Sequence, residues 1–195
     1  VTASTAEGGV PFVLPSALEH PRAPWWQTDP DPPASLIPTA AIAGLLHKHR
    51  VDHPWLGPAT GYTWRAVDAI EQTSPYEVRS VLPFLEHVPD RDRAEAAFRR
   101  IGELTLAQGL VALDPAAEGE VHSPLELAPA PATMARRLFG DQVIEAHLDH
   151  LLASQRPDGG WTVNFPAWTE AAGLEWRAWA TVQALRVLRA YGRLG

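Results

Sequence analysis

Apolar positions along this chain recur every three to four residues, and no segment alternates long enough to make a convincing strand. The first helix predicted by that period runs from about Pro38 to His49, with Ile42, Leu45, Leu46 and His49 on one face. Asp52-His53-Pro54 opens a second, reaching to about Glu71 with Trp64, Val67 and Ile70 inward. Ser74-Pro75-Tyr76-Glu77 reads as a capping box with proline at the first helical position, so a third helix starts there. It carries Val78, Val81, Leu82 and Leu85 inward, and Pro83 should kink it. Asp90 caps a fourth, with Ala94, Ala97, Ile101 and Leu104 at helical spacing and Gly109 as its stop. The fifth spans Asp141 to Gln155. The sixth runs from roughly Gly173 to Tyr191, and its stripe Leu174, Ala178, Thr181, Leu185 and Leu188 predicts a buried face. The fold class is therefore all-α, built from antiparallel helix pairs.

Two stretches break this period. Residues 1–34 hold Gly8-Gly9 and prolines at 11, 15, 21, 24, 30, 32 and 33, which no regular element tolerates. With Phe12, Trp25 and Trp26 in it, this segment reads as an extended arm packed across a helical body, or as a chain that begins inside a larger architecture. Residues 35–195 then form the helical domain, interrupted by a Pro-rich insertion at 110–131 that is too long for an ordinary helix connection.

Composition narrows the classes. Hydrophobic residues make up 46% and charged residues 20% of 195, enough to bury a core. A net charge of −7 with scattered Lys and Arg argues against a nucleic-acid surface. With no cysteine there can be no disulfide, thiolate nucleophile or Cys-held zinc. No apolar run is long enough to span a bilayer, and no signal peptide is visible, which points to a cytoplasmic protein. Eight Trp and nineteen Pro are both high, since ordinary proline usage is about 5%.

One segment is more specific. In Leu151-Leu-Ala-Ser-Gln155-Arg-Pro-Asp158-Gly159-Gly160-Trp161, an apolar helix runs out, a Pro-Asp-Gly-Gly reversal follows, and a Trp lands beyond it. Gln155 can bridge orphan backbone groups at the helix end and at the start of the next helix, and Trp161 can close over the junction. This Gln-x-x-x-Gly-x-Trp spacing resembles the QW repeat of the terpene-cyclase and protein-prenyltransferase-like α/α toroids. The resemblance covers residues 141–195 and implies a partial toroid, an open helical arc. A degenerate echo stands at Gln108-Gly109, with no Trp after it. The resemblance also implies an isoprenoid-type apolar ligand. Another chain, or a missing N-terminal half, would complete the ring.

The catalytic signatures of that superfamily are incomplete. An acid-initiated cyclase needs a carboxylic acid kept neutral, and the candidates are Asp29 and Asp31, which lie two residues apart and could share a proton. The competing reading caps a turn with them or leaves them in solvent. Trp25, Trp26, Trp55, Trp64, Trp168, Trp176 and Trp179 are candidates to line a cation-stabilising cavity, or else fill core and helix ends. Gln155, Gly159 and Trp161 form the structural motif. Of the eight His, only His147 and His150 have helical metal spacing; no third ligand is evident, and His150 stands where packing is expected, so neither a metal nor another cofactor is assigned. Arg177 can pair with Glu175 or with Asp158. Two functions follow: a divergent terpenoid cyclase, an isomerase or lyase acting on an isoprenoid, or a non-catalytic helical module binding an apolar ligand or a partner chain through a Trp-rich face.

Overall fold

Seven helices and no strand make up the described residues (4–24, 26–119, 121–165 and 167–194) of the computed structural model. They are α1 (Leu36–Lys48), α2 (Leu56–Asp68), α3 (Pro75–His87), α4 (Arg91–Ala107), the single turn α5 (Pro124–Leu127), α6 (Asp141–Ala153) and α7 (Glu170–Ala190). Short 3-10 turns add Pro15–Glu19 and Met134–Leu138. The chain divides into two compact units, Val1–Thr105 and Leu106–Gly195. That division falls inside the stretch 35–195 read from sequence as one helical domain.

In the first unit α1 packs chiefly on α3 and also on α2. The buried face of α1 is Leu36, Thr39, Ala40, Ala43 and Gly44, while Ile42 and Leu45 are exposed, which corrects the face expected from its large residues. The reason is close approach. A Cβ on Gly44 would sit 2.8 Å from the Phe84 backbone nitrogen and 2.9 Å from its Cα, so only glycine lets the helices meet there. Phe84 fills the centre of the unit, edge-on to Trp64 with ring centroids 5.1 Å apart. The capping box at α3 forms in both directions: Ser74 Oγ accepts from Glu77 N, and Glu77 accepts from Ser74 N at 3.2 Å. The helix runs on through Pro83 to His87. Arginines close helix ends. Arg100 donates to the Val67 and Ile70 carbonyls at the end of α2, and Arg91 donates to Leu85 and Val88 at the end of α3. Arg91 and Arg100 thus serve helix termini, while Arg93 pairs with Asp68.

The N-terminal arm belongs to this unit and is tied down by its backbone. Val10 bridges Ser35, Val10 N donates to Thr39 Oγ1 at 2.9 Å, and Tyr62 Oη donates to the Ala34 carbonyl at 2.9 Å. Phe12 and Trp26 remain 60% and 49% exposed. Burial of Phe12 and Trp26 is therefore not what holds the arm, contrary to the expectation for these two residues. Trp25 lies outside the described residues.

In the second unit α5 packs on α6, and α6 on α7. The insertion contains α5, opened by Ser123-Pro124-Leu125-Glu126, where Glu126 accepts from Ser123 N at 3.1 Å. Tyr191 Oη donates to the Ala128 carbonyl, fixing the end of α7 to this insertion. Helix α7 begins three residues earlier than its periodicity indicated, because the Thr169 side chain caps it by accepting from Ala172 N. Its buried residues are Ala184, Val187 and Leu188. Of the expected buried stripe, Leu188 is buried and Thr181 is half-buried. Leu174, Ala178 and Leu185 face solvent, which corrects that expectation. No described helix is long and apolar enough to cross a membrane.

Candidate functional site

The segment after α6 is a built junction. Gly159, at φ +84°, takes the left-handed conformation that reverses the chain, and Arg156 N donates to the Gly160 carbonyl across the turn. Gln155 Nε2 donates to the Gly159 carbonyl at 2.9 Å. It therefore staples the turn itself and does not bridge two helix ends. That bridging falls to Trp161, which is 4% exposed: its indole N–H donates to the Leu151 carbonyl in the last turn of α6 at 2.8 Å. Its backbone N–H donates to Thr181 Oγ1 of α7 at 3.1 Å. Arg177, also on α7, pairs with Asp158 at 2.6 Å and not with Glu175, and this pairing holds the Asp158 carboxyl below its usual range. The junction joins α6, the turn and α7 through polar contacts around one buried ring.

Asp29 and Asp31 are both exposed. Asp29 borders a cleft of about 570 Å³ in the first unit, whose walls mix Phe12, Ala66 and Ile70 with Tyr62 and Glu77. Those two polar groups are already engaged, Tyr62 with Ala34 and Glu77 with Thr73 Oγ1 and the Ser74 N–H. Among the described residues the buried polar or charged side chains are Thr39, Thr63, Ser80, Thr105 and His147, so no carboxylate is among them. An acid that protonates an alkene must be shielded from water to stay neutral. Neither aspartate meets that condition.

The tryptophans do not converge on the cleft, and none of those described lines it. In the first unit Trp64 is core, 6% exposed, with the Arg93 guanidinium 4.3 Å over its ring. Trp55 is half-buried, and its indole N–H is buried without a hydrogen-bond partner. In the second unit Trp176 stacks edge-on between Phe165 and Trp179, with centroids 5.3 and 5.6 Å away. Trp176 and Trp179 are still 40% and 41% exposed, and Trp168 is 53% exposed.

His147 is buried, with Nε2 3.2 Å from the Leu113 carbonyl, and burial pushes its pKa below the ordinary 6.5. His150 is exposed, so it is not the packing residue of this pair, as its sequence position suggested. Among the described residues no group of three His, Asp or Glu is placed to hold a metal ion.

Sequence reasoning missed the outer face of α7. Leu174, Val182 and Leu185 are 62%, 53% and 40% exposed, and with Trp176 and Trp179 they leave the helix apolar on both its inner and outer sides. The signal was present in the sequence as a helix without a clear polar face. Such a helix is normally buried on all sides. Compared with family models, curated proteins and solved structures, the chain gives no match. The likeness to the toroid superfamily rests on the Gln155–Trp161 junction alone.

Proposed function

We propose that this chain is a non-catalytic helical module that docks a partner on the outer apolar face of α7. The observation that carries the proposal is the exposure of Leu174, Val182 and Leu185 on a helix whose neighbouring side, Ala184, Val187 and Leu188, is already packed. Covering these three half-exposed side chains would contribute about 2–4 kcal/mol, a useful fraction of a binding energy. Against a cyclase stands the exposure of Asp29 and Asp31. The all-α fold and the QW-like junction support kinship with the toroids at the level of one repeat, and the partial toroid remains part of this proposal.

The edge-to-face row Phe165, Trp176 and Trp179 favours a second reading, in which an isoprenoid chain lies along this aromatic flank of α7, turned away from Leu174 and Leu185. A dye that fluoresces on apolar surfaces tests the docking premise. Wild-type protein at high dilution should enhance and blue-shift anilinonaphthalene sulfonate emission, and the Leu174→Ser, Val182→Ser double variant should lose most of that signal. Equal signals from the two proteins would overturn the docking reading. Quenching of tryptophan fluorescence by farnesol, kept in the double variant and lost in Trp176→Leu, would favour the ligand over a partner chain. A cyclised product from squalene or prenyl diphosphates would overturn the non-catalytic assignment.

A further inference from the structure

Given that α7 is a docking face, its own residues specify what docks there. We infer that the occupant is a second copy of this chain, its α7 lying antiparallel across the first about a two-fold axis near Ala180. Three pairs of exposed positions are centred within half a residue of position 180: Leu174 with Leu185, Ala178 with Val182, and Glu175 with Arg186. In an antiparallel pair about that axis, each position meets the one mirrored through the centre. Leu174 therefore meets Leu185 of the partner subunit, and Ala178 meets Val182 of the partner subunit. The small Ala178 beside the axis lets the two helices approach closely.

The charges agree with the apolar pairs. Eleven residues apart on an α-helix, Glu175 and Arg186 project within about 20° of each other, so they lie on the same flank of the apolar stripe. A two-fold axis of this kind sets each flank against the same flank of the other copy. Glu175 then faces Arg186 of the partner subunit, and the contact occurs twice. A parallel two-fold would carry this flank to opposite sides of the interface, so Glu175 and Arg186 would meet neither each other nor a partner charge. Glu170 near the start of α7 and Arg189 near its end add the same polarity, acid at the N-terminal half and base at the C-terminal half. An antiparallel neighbour matches both halves.

Sedimentation velocity over a dilution series, with charge-reversal variants at exposed positions, tests this. Wild type should pass from monomer to dimer as concentration rises. Glu175→Arg and Arg186→Glu, each alone, should weaken the dimer about tenfold or more, because two attractive contacts become repulsive. The Glu175→Arg, Arg186→Glu double variant should dimerise again. Mixing the two single variants should give a heterodimer, since one copy then presents two arginines and the other two glutamates. Circular dichroism of each variant should match wild type. A chain that stays monomeric at every concentration overturns self-pairing, and the docking reading survives if the dye signal holds. A dimer indifferent to both reversals, or no heterodimer on mixing, shows pairing through another surface and overturns the inference.

Discussion

Replacing Gly44 with alanine tests the packing argument in the first unit, because two effects of opposite sign compete there. In a helix interior, glycine to alanine ordinarily stabilises by about 0.5–1 kcal/mol, since alanine loses less backbone freedom on folding. At Gly44 the new methyl would lie 2.8 Å from Phe84 N, 2.9 Å from Phe84 Cα and 3.0 Å from the Pro83 carbonyl carbon. Each distance is several tenths of an ångström short of ordinary contact, which begins at 3.4 Å. All three atoms are backbone of α3, so no side chain can swing away and α1 must move off α3 as a body. Overpacking of that kind costs about 1–3 kcal/mol. The net effect is destabilisation by roughly 0.5–2 kcal/mol. Gly61 in α2 supplies the control. A Cβ there would meet only the end of the flexible Arg65 side chain, at 3.5 Å, so Gly61→Ala should stabilise by about 0.5–1 kcal/mol. Urea denaturation followed by far-ultraviolet circular dichroism reads both midpoints. A Gly44→Ala midpoint at or above wild type would refute the claim that α1 and α3 touch through the glycine.

Other substitutions probe the second unit. Trp161→Ala should cost about 3–5 kcal/mol as a large core truncation, and Trp161→Phe about 1–3 kcal/mol through loss of the donor to the Leu151 carbonyl; equal stability of the Phe variant and wild type would show the indole N–H to be idle. Because burial lowers the pKa of His147, the unfolded chain binds a proton that the folded chain refuses. Its contribution is complete above pH 6.5 and declines as pH falls below that value, so the urea midpoint should drop on acidification and drop less in His147→Phe. Arg177→Met should leave Asp158 without its partner and loosen the turn, seen as faster amide exchange at Gly159 and Gly160 with α6 unaffected.

Local chemistry was legible where one short signature decides the outcome. Ser74-Pro75 with Glu77 started a helix as expected, and the same Ser-Pro-x-Glu pattern at Ser123 starts α5, inside a stretch that proline content alone marked as irregular. The Pro-Asp-Gly-Gly reversal was readable too, because Gly159 supplies the positive φ. Which face of a helix turns inward was harder. Periodicity favours the largest apolar residues, but α1 is buried through Ala40, Ala43 and Gly44 because α3 comes too close for anything larger. On α7 the same logic assigned Leu174 and Leu185 to a core that packs only the adjoining side, Ala184, Val187 and Leu188. The aspartates show a further limit. Their spacing permits a shared proton, but spacing carries no information on solvent access, and both are exposed.

The claim that α7 pairs with a second copy through its outer face is tested most directly by a fluorophore placed on it. The chain has no cysteine, so Val182→Cys gives a single attachment point for an environment-sensitive dye, and Gln142→Cys on the exposed side of α6 gives the reference. As protein concentration rises, emission from position 182 should move to shorter wavelength while emission from position 142 stays where it is in water. If both labels keep water-like emission at every concentration, the face stays open to solvent and pairing of α7 with a second copy is contradicted.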